Sequence, residues 1–516
     1  MPTTALARAP RRRLALAVAP LAAAAVLAGC GASSGAGDTD PAGLVPASAP
    51  VYLEAVVHPD DQEAGDARTA LGKILRTSDP GAKLVEMIDR GGRREGISFD
   101  RDVAPWLGDR VGVAALSFSR EQAHSVAIAA STDNAKAQAA IDKALKGGDK
   151  RSYRDVDYTF DADDRTAAAV VGDAVVIGTE VGLKGAVDAS KGSSLAEADA
   201  LKKARAEVSQ ERSGFAYLDV AGFLRQAISA AGDTAAQAAP LLDPVAKALP
   251  KTVGAALDAE PDLLRVDSAA FGQPDSTRAA KSGADALAAL PADAWLGAGA
   301  GELGQTVTNF LDGIASGGGL GGIGLEALLN QARERTGLDL RKDVLAWMGD
   351  AGFYIAGTTE DDKRGALVIG SKDPAATRRT VQTLRRVLGG GRDVRDLNAA
   401  GVDEGFTVPG DRHDLLVAAG GDRFVVAVGR RALNEALDPG ATLGATAKFT
   451  GAAGELGGDV RPSFFLDVEQ LTSLLDAKKG SHFDRAKPYF EAFGVVVGGG
   501  KRDGDISRGR AIATLK

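Results

Sequence analysis

Hydrophobic positions along this chain switch repeatedly between a helical and an extended period. Leu71, Ile74 and Leu75, then Leu84, Met87 and Ile88, fall at i, i+3, i+4, the stripe of an amphipathic helix. Val111–Phe118 and Ser125–Ala130 then read as neighbouring strands, Asn134–Lys146 as a helix, and several short strands follow. The succession returns downstream. Val307, Phe310 and Leu311, then Leu325, Leu328 and Leu329, are helical stripes before strands at 352–358 and 365–370 and a helix over 375–388. Strands joined by short loops favour antiparallel pairing. The predicted fold class is therefore α+β, with mainly antiparallel sheets and packed helices rather than a doubly wound parallel sheet.

The two successions share more than period. Gly96, Asp102, Val103, Trp106, Gly108 and Asp109 match Gly337, Asp343, Val344, Trp347, Gly349 and Asp350 at one constant offset. Other matches follow in order: Val45-Pro46-Ala47 with Leu290-Pro291-Ala292, Asp133 with Asp373, Gly172-Asp173 with Gly421-Asp422, and the 215–220 strand with 463–468. Repeats of this kind define an architecture. The expected organisation is a signal segment (1–29), Cys30 with a polar tether (30–43), an α+β module (44–272), a joint (273–289) and a homologous second module (290–516). Each module is predicted to end in a hairpin, the first formed by 253–259 and 264–271.

The N-terminus changes the picture of where the chain acts. Arg8, Arg11, Arg12 and Arg13 precede an uncharged Leu/Ala/Val run of roughly a dozen residues, a signal-peptide pattern too short to span a bilayer. Leu27, Ala28 and Gly29 lead into Cys30, the one cysteine among 516 residues. A single cysteine excludes a disulfide framework and multi-cysteine metal sites. The Leu-Ala-Gly-Cys segment resembles the lipobox of bacterial lipoproteins, which implies cleavage before Cys30 and a lipid anchor on it. Loss of residues 1–29 leaves 57 basic against 69 acidic residues, a net charge near −12. That charge disfavours nucleic acid and anionic lipid, so membrane attachment is expected through acyl chains.

Candidate chemistry is sparse. Gly31 to Gly35 spells G-x-S-x-G without the strand and helix a nucleophile elbow requires. Gly319 to Gly324 spells G-x-G-x-x-G but follows a helical stripe, so phosphate binding is not expected. His58, His124, His413 and His482 are isolated and lack metal-pair spacing, and His58 is read as belonging to a helix start. Asp155, Asp157, Asp161, Asp163 and Asp164 lack the glycine and glutamate of an EF-hand loop and read as a solvated hairpin. Arg378, Arg379, Arg385 and Arg386 form the wet side of a helix whose apolar side carries Val381, Leu384 and Leu388. No cofactor and no metal site are expected. In the repeated motif, Trp106 and Trp347 are predicted to wedge into cores, Gly108 and Gly349 to allow tight turns, and Asp109 and Asp350 to satisfy turn amides.

The duplicated body and its Asp-Val-x-x-Trp-x-Gly-Asp segments resemble one bacterial envelope family, catalogued as domain of unknown function 3352. The resemblance implies an extracytoplasmic protein and supplies no catalytic residues. The expected function is a non-catalytic binding or scaffolding lipoprotein of the cell envelope, with an envelope protein as partner. A carrier of a lipid or other apolar ligand is one alternative. A hydrolase drawing its acids from Asp109, Asp350 or the 155–164 group is another.

Overall fold

The computed structural model describes residues 39–516 apart from 60, 93–95, 119–121, 210–211, 232–248, 274–280, 317–324, 360, 391–392, 411–412, 459 and 477–485. Leu27, Ala28, Gly29, Cys30 and the Gly31–Gly35 and Gly319–Gly324 motifs lie outside the described residues. The chain is α+β, and its strand pairings are antiparallel. Two compact units divide it: residues 1–72, 77–232 and 254–261, and residues 73–76, 233–253 and 262–516.

The first unit is built on β1 (Val51–Val56), β2 (Leu107–Phe118), β3 (Ala123–Ser131), β4 (Asp149–Tyr153), β5 (Val156–Asp161), β6 (Thr166–Val170), β7 (Ala174–Thr179) and β8 (Gly214–Asp219), with β9 (Thr252–Glu260) near its end. Pairing runs β8–β1–β2–β3–β7–β6–β5–β4. Helices Pro80–Gly92 and Asn134–Ala144 cover a core containing Trp106, Val111, Ile141 and Val175. Asp133 caps the second of these by accepting from the Lys136 N–H at 3.0 Å. Glu180–Ser190 packs on the opposite side of β7 together with the short 3-10 turn Pro41–Leu44. That turn corrects the sequence reading of a free tether to residue 43. Pro41, Ala42, Leu44 and Val45 are buried, because this apolar stretch has a sheet to pack on.

The second unit contains β10 (Leu263–Phe271), β11 (Lys281–Ser282), β12 (Ala294–Gly301), β13 (Met348–Ala356), β14 (Arg364–Ser371), β15 (Arg395–Asp396), β16 (Glu404–Val408), β17 (Leu415–Gly420), β18 (Arg423–Val428), β19 (Pro462–Asp467), β20 (Phe493–Asp503) and β21 (Ile506–Leu515). Here the order is β10–β21–β20–β19–β12–β13–β14–β18–β17–β16–β15. One core gathers Tyr354, Leu416, Val425, Leu433, Phe465 and Ile512. A second gathers Trp347, Ile369, Val381, Phe406 and Phe424 on the other side of the sheet. β10, which the sequence reading placed in the first module, pairs along its length with β21 and is counted with the second unit. Local alternation carries no information about which distant strand completes a ladder.

Candidate functional site

The repeated segments form one kind of corner in both units. In each, a single π-helical turn (Phe99–Val103; Leu340–Val344) leads to a tryptophan at the start of a long strand. Trp106 is buried, and its Nε1–H donates to the Asp102 carbonyl at 2.7 Å. Trp347 is only 1% exposed, and its Nε1–H donates to the Asp343 carbonyl at 2.9 Å. Thr380 Oγ1 reinforces the second corner by donating to the same carbonyl at 2.7 Å. Gly108 and Gly349 sit within β2 and β13 and neither has a positive φ, so the predicted tight turn is absent. A β-carbon on Gly349 would lie 3.0 Å from the Gly370 carbonyl, so close approach of β14 is what demands glycine there.

The acids of the motif do different work in the two units. The Asp102 carboxylate takes Arg101 and Lys143 and the Ser98 amide, which hold its pKa well below the usual carboxylate range. Asp343 accepts from the Asp339 amide at 2.7 Å. Asp109 Oδ1 lies 3.1 Å from His58 Nδ1, a partner 51 residues away. Asp350 accepts the Glu302 amide at 2.9 Å and pairs with Lys281 at 3.2 Å. These contacts correct the expectation that Asp109 and Asp350 serve their own turn amides. Among the described residues, no serine, threonine or cysteine side chain hydrogen-bonds to His58 to act as a nucleophile.

Asp350 also lines a small cleft of about 150 Å³ with Leu290, Gly352, Asp422, Arg423 and Glu435. Its Glu435 is engaged by Arg364 at 2.7 Å, which also pairs with Asp362 at 3.1 Å and Asp293. No group of three metal-capable side chains occurs among the described residues. The acidic hairpin caps itself, Asp161 Oδ1 accepting from the Asp163 amide at 2.8 Å. In the arginine-rich helix Pro374–Gly389, Val381 is fully buried, whereas Leu388 is 36% exposed, contrary to its predicted apolar placement. His124 is half-buried, His413 is exposed, and His482 lies outside the described residues.

The most conspicuous feature is a surface that no motif announces. In the second unit Phe464, Ala298, Phe353, Leu367, Val426, Val417 and Phe406 stand directly opposite one another across six successive strand pairings. Directly opposed residues project from one face of a sheet. At one end the row is buried under the helix Pro374–Gly389, where Phe406 is 0% exposed. Farther along, the face is partly open: Phe353 (40%) on β13 and Phe464 (36%) on β19 are exposed, as are Leu415 on β17 and Val428 on β18, two residues along from the row. The first unit carries an equivalent row of smaller side chains: Ala216, Leu53, Val113, Ala127, Ile177, Ala168. Leu53, second in the row, is 47% exposed although its strand is flanked on both sides. Covering one phenylalanine exposed to that degree would stabilise a complex by roughly 1–2 kcal/mol.

Fold and site together describe an α+β protein with large apolar side chains exposed on its sheet faces. The chain belongs to the family described as Protein of unknown function (DUF3352), whose profile matches residues 14–493. Comparison with curated proteins finds no match. Among solved structures, crystal form III of TP0453 is similar at 14% identity and a TM-score of 0.25, over 46% of this chain and 81% of that one. Crystal form I of TP0453 is similar at 12% identity and a TM-score of 0.25, over 45% and 79%.

Proposed function

We propose that this chain is a membrane-anchored, extracytoplasmic lipoprotein that binds or scaffolds an envelope partner without catalysis, and that the partly open sheet face is where it binds. The observation that carries the reading is the exposed apolar group Phe353, Phe464, Leu415 and Val428 on one face. Large apolar side chains exposed together on one sheet face are the kind of surface an interaction site offers. The anchor is Cys30, supported by the order of basic, apolar and small residues before it. Crosslinking in live cells tests the reading. Wild-type protein should capture an envelope partner, Phe353→Asp should abolish capture with the fold intact, and capture unchanged by Phe353→Asp and Phe464→Asp would refute the assignment.

We further propose that the two units are copies of one module. In support, β8–β1–β2–β3–β7–β6–β5–β4 and β19–β12–β13–β14–β18–β17–β16–β15 are the same order. Matched bridges, Pro46–Ser194 and Pro291–Thr442, stand beside them.

A second reading, a carrier of a lipid or other apolar ligand, is favoured by the small side chains around Leu53. Ala216 and Val113 flank Leu53 with small side chains, and β1 is paired along both edges, so the face offers hydrocarbon and no free backbone groups. A hydrocarbon chain has no polar groups to leave unsatisfied there, unlike an extended peptide. Lipid mass spectrometry on protein extracted from its native membrane decides between the two, since a protein carrying no lipid excludes the carrier.

A further inference from the structure

We infer that residues 40–46 are a docked clasp that shortens the leash between the membrane anchor and the first unit. The clasp has four parts. Arg205 donates to both oxygens of Asp40, at 2.6 and 3.0 Å, and also to Glu54. Arg110 donates to the other Glu54 oxygen at 3.1 Å, and Tyr52 Oη to Glu54 at 2.8 Å, so the charges meet in a closed network beneath the turn. The Pro41 ring lies over Gly112, where an added β-carbon would sit 2.7 Å from Pro41 and 2.9 Å from Tyr52. Beyond the turn, the Leu195 amide donates to the Val45 carbonyl at 2.7 Å, and Pro46 bridges Ser194. Burial alone would raise the Asp40 pKa, but the Arg205 hydrogen bonds and charge outweigh it and hold it below the usual value.

The consequence is one of length and rests on Cys30 carrying the anchor. Ten Cα steps separate Cys30 from Asp40, a reach of at most about 36 Å at ~3.3–3.6 Å per residue. Were the chain free as far as Pro46, the limit would rise by about 20 Å, more than the ~17 Å radius of gyration expected of a unit this size. The docked turn therefore lowers the greatest distance at which the first unit can stand from the bilayer from about 56 Å to about 36 Å.

Two measurements test this, one of which does not need the anchor. In the full chain with Cys30→Ser, amide exchange over 41–46 should be at least a hundredfold slower than in the free peptide, and Asp40→Ala should speed it at least tenfold while β2 stays protected. Free-peptide rates in the unsubstituted segment would overturn the clasp. For the leash, the acylated chain takes a dye on Asp163→Cys, the only free thiol once Cys30 is acylated, and is placed in phosphatidylcholine vesicles bearing an acceptor lipid. Energy transfer should fall when six Gly/Ser residues are inserted after Thr39, and fall similarly with Asp40→Ala/Arg205→Ala. Transfer that falls with the insertion but not with the substitutions overturns the leash role. A Cys30 peptide without acyl mass overturns the anchor reading and leaves the exchange result to decide the clasp alone.

Discussion

The second corner can be dissected at one acceptor, the Asp343 carbonyl. Trp347 Nε1–H and Thr380 Oγ1–H both donate to it, at 2.9 and 2.7 Å, and Trp347 also reaches Thr380 at 3.2 Å. Trp347→Phe keeps a ring beside Phe424, now 5.5 Å away centre to centre, and removes one donor. Its cost should be about 1–2 kcal/mol, from a small void and one hydrogen bond of modest net worth. Thr380→Val keeps volume and should cost about 0.5–1.5 kcal/mol. In each single variant the other donor still serves the carbonyl. In the double variant neither does, and leaving this part-buried acceptor without either side-chain donor costs about 1 kcal/mol or more. The double variant should therefore exceed the sum of the singles by at least 1 kcal/mol. Opening free energies from amide exchange in β13 and β14 measure this within the second unit, which avoids treating a two-unit chain as one two-state system. Additivity within about 0.5 kcal/mol would refute the shared-acceptor argument.

Two further outcomes follow from the first unit. Gly112→Ala forces a β-carbon into Pro41 and Tyr52 and should destabilise that unit by about 1–3 kcal/mol, read from exchange in β1 and β2. Glu180 accepts the Tyr158 hydroxyl at 2.6 Å and faces Lys184 and Arg151, which lower its pKa from 4.5 to about 2. A depressed carboxylate contributes stability above its unfolded pKa and loses it as pH falls through the folded value. Urea midpoints should drop between pH 4.5 and 2, and Glu180→Gln should flatten that drop while lowering stability at pH 7. An undiminished drop in Glu180→Gln would place the acid sensitivity elsewhere.

Particular residues show how far the sequence could be read. Gly96 and Gly337, matched at the repeat offset, both have positive φ, at 69° and 74°, just before the paired π-helical turns. Asp133 and Asp373 both cap the helices that follow them. These are local facts, set by backbone sterics and short-range hydrogen bonds, and a pattern of residue types records them. His58 beside Asp109, Arg205 on Asp40 and Arg510 on Asp267 span 51, 165 and 243 positions. Nothing in the spacing of such pairs signals contact, because the fold brings them together only after the strands have paired.

By itself the sequence determined the α+β class, the recurring order of elements, the buried tryptophans and the family, because periodicity and turn chemistry act over a few residues at a time. Tertiary structure alone decided that β10 completes a ladder with β21, that Asp40 docks on Arg205, and that Phe353, Phe464 and Leu53 stay exposed. An alternating strand marks both of its faces but cannot say which will find a helix to cover it. That depends on where distant helices pack, and here they leave Phe353, Phe464 and Leu53 exposed.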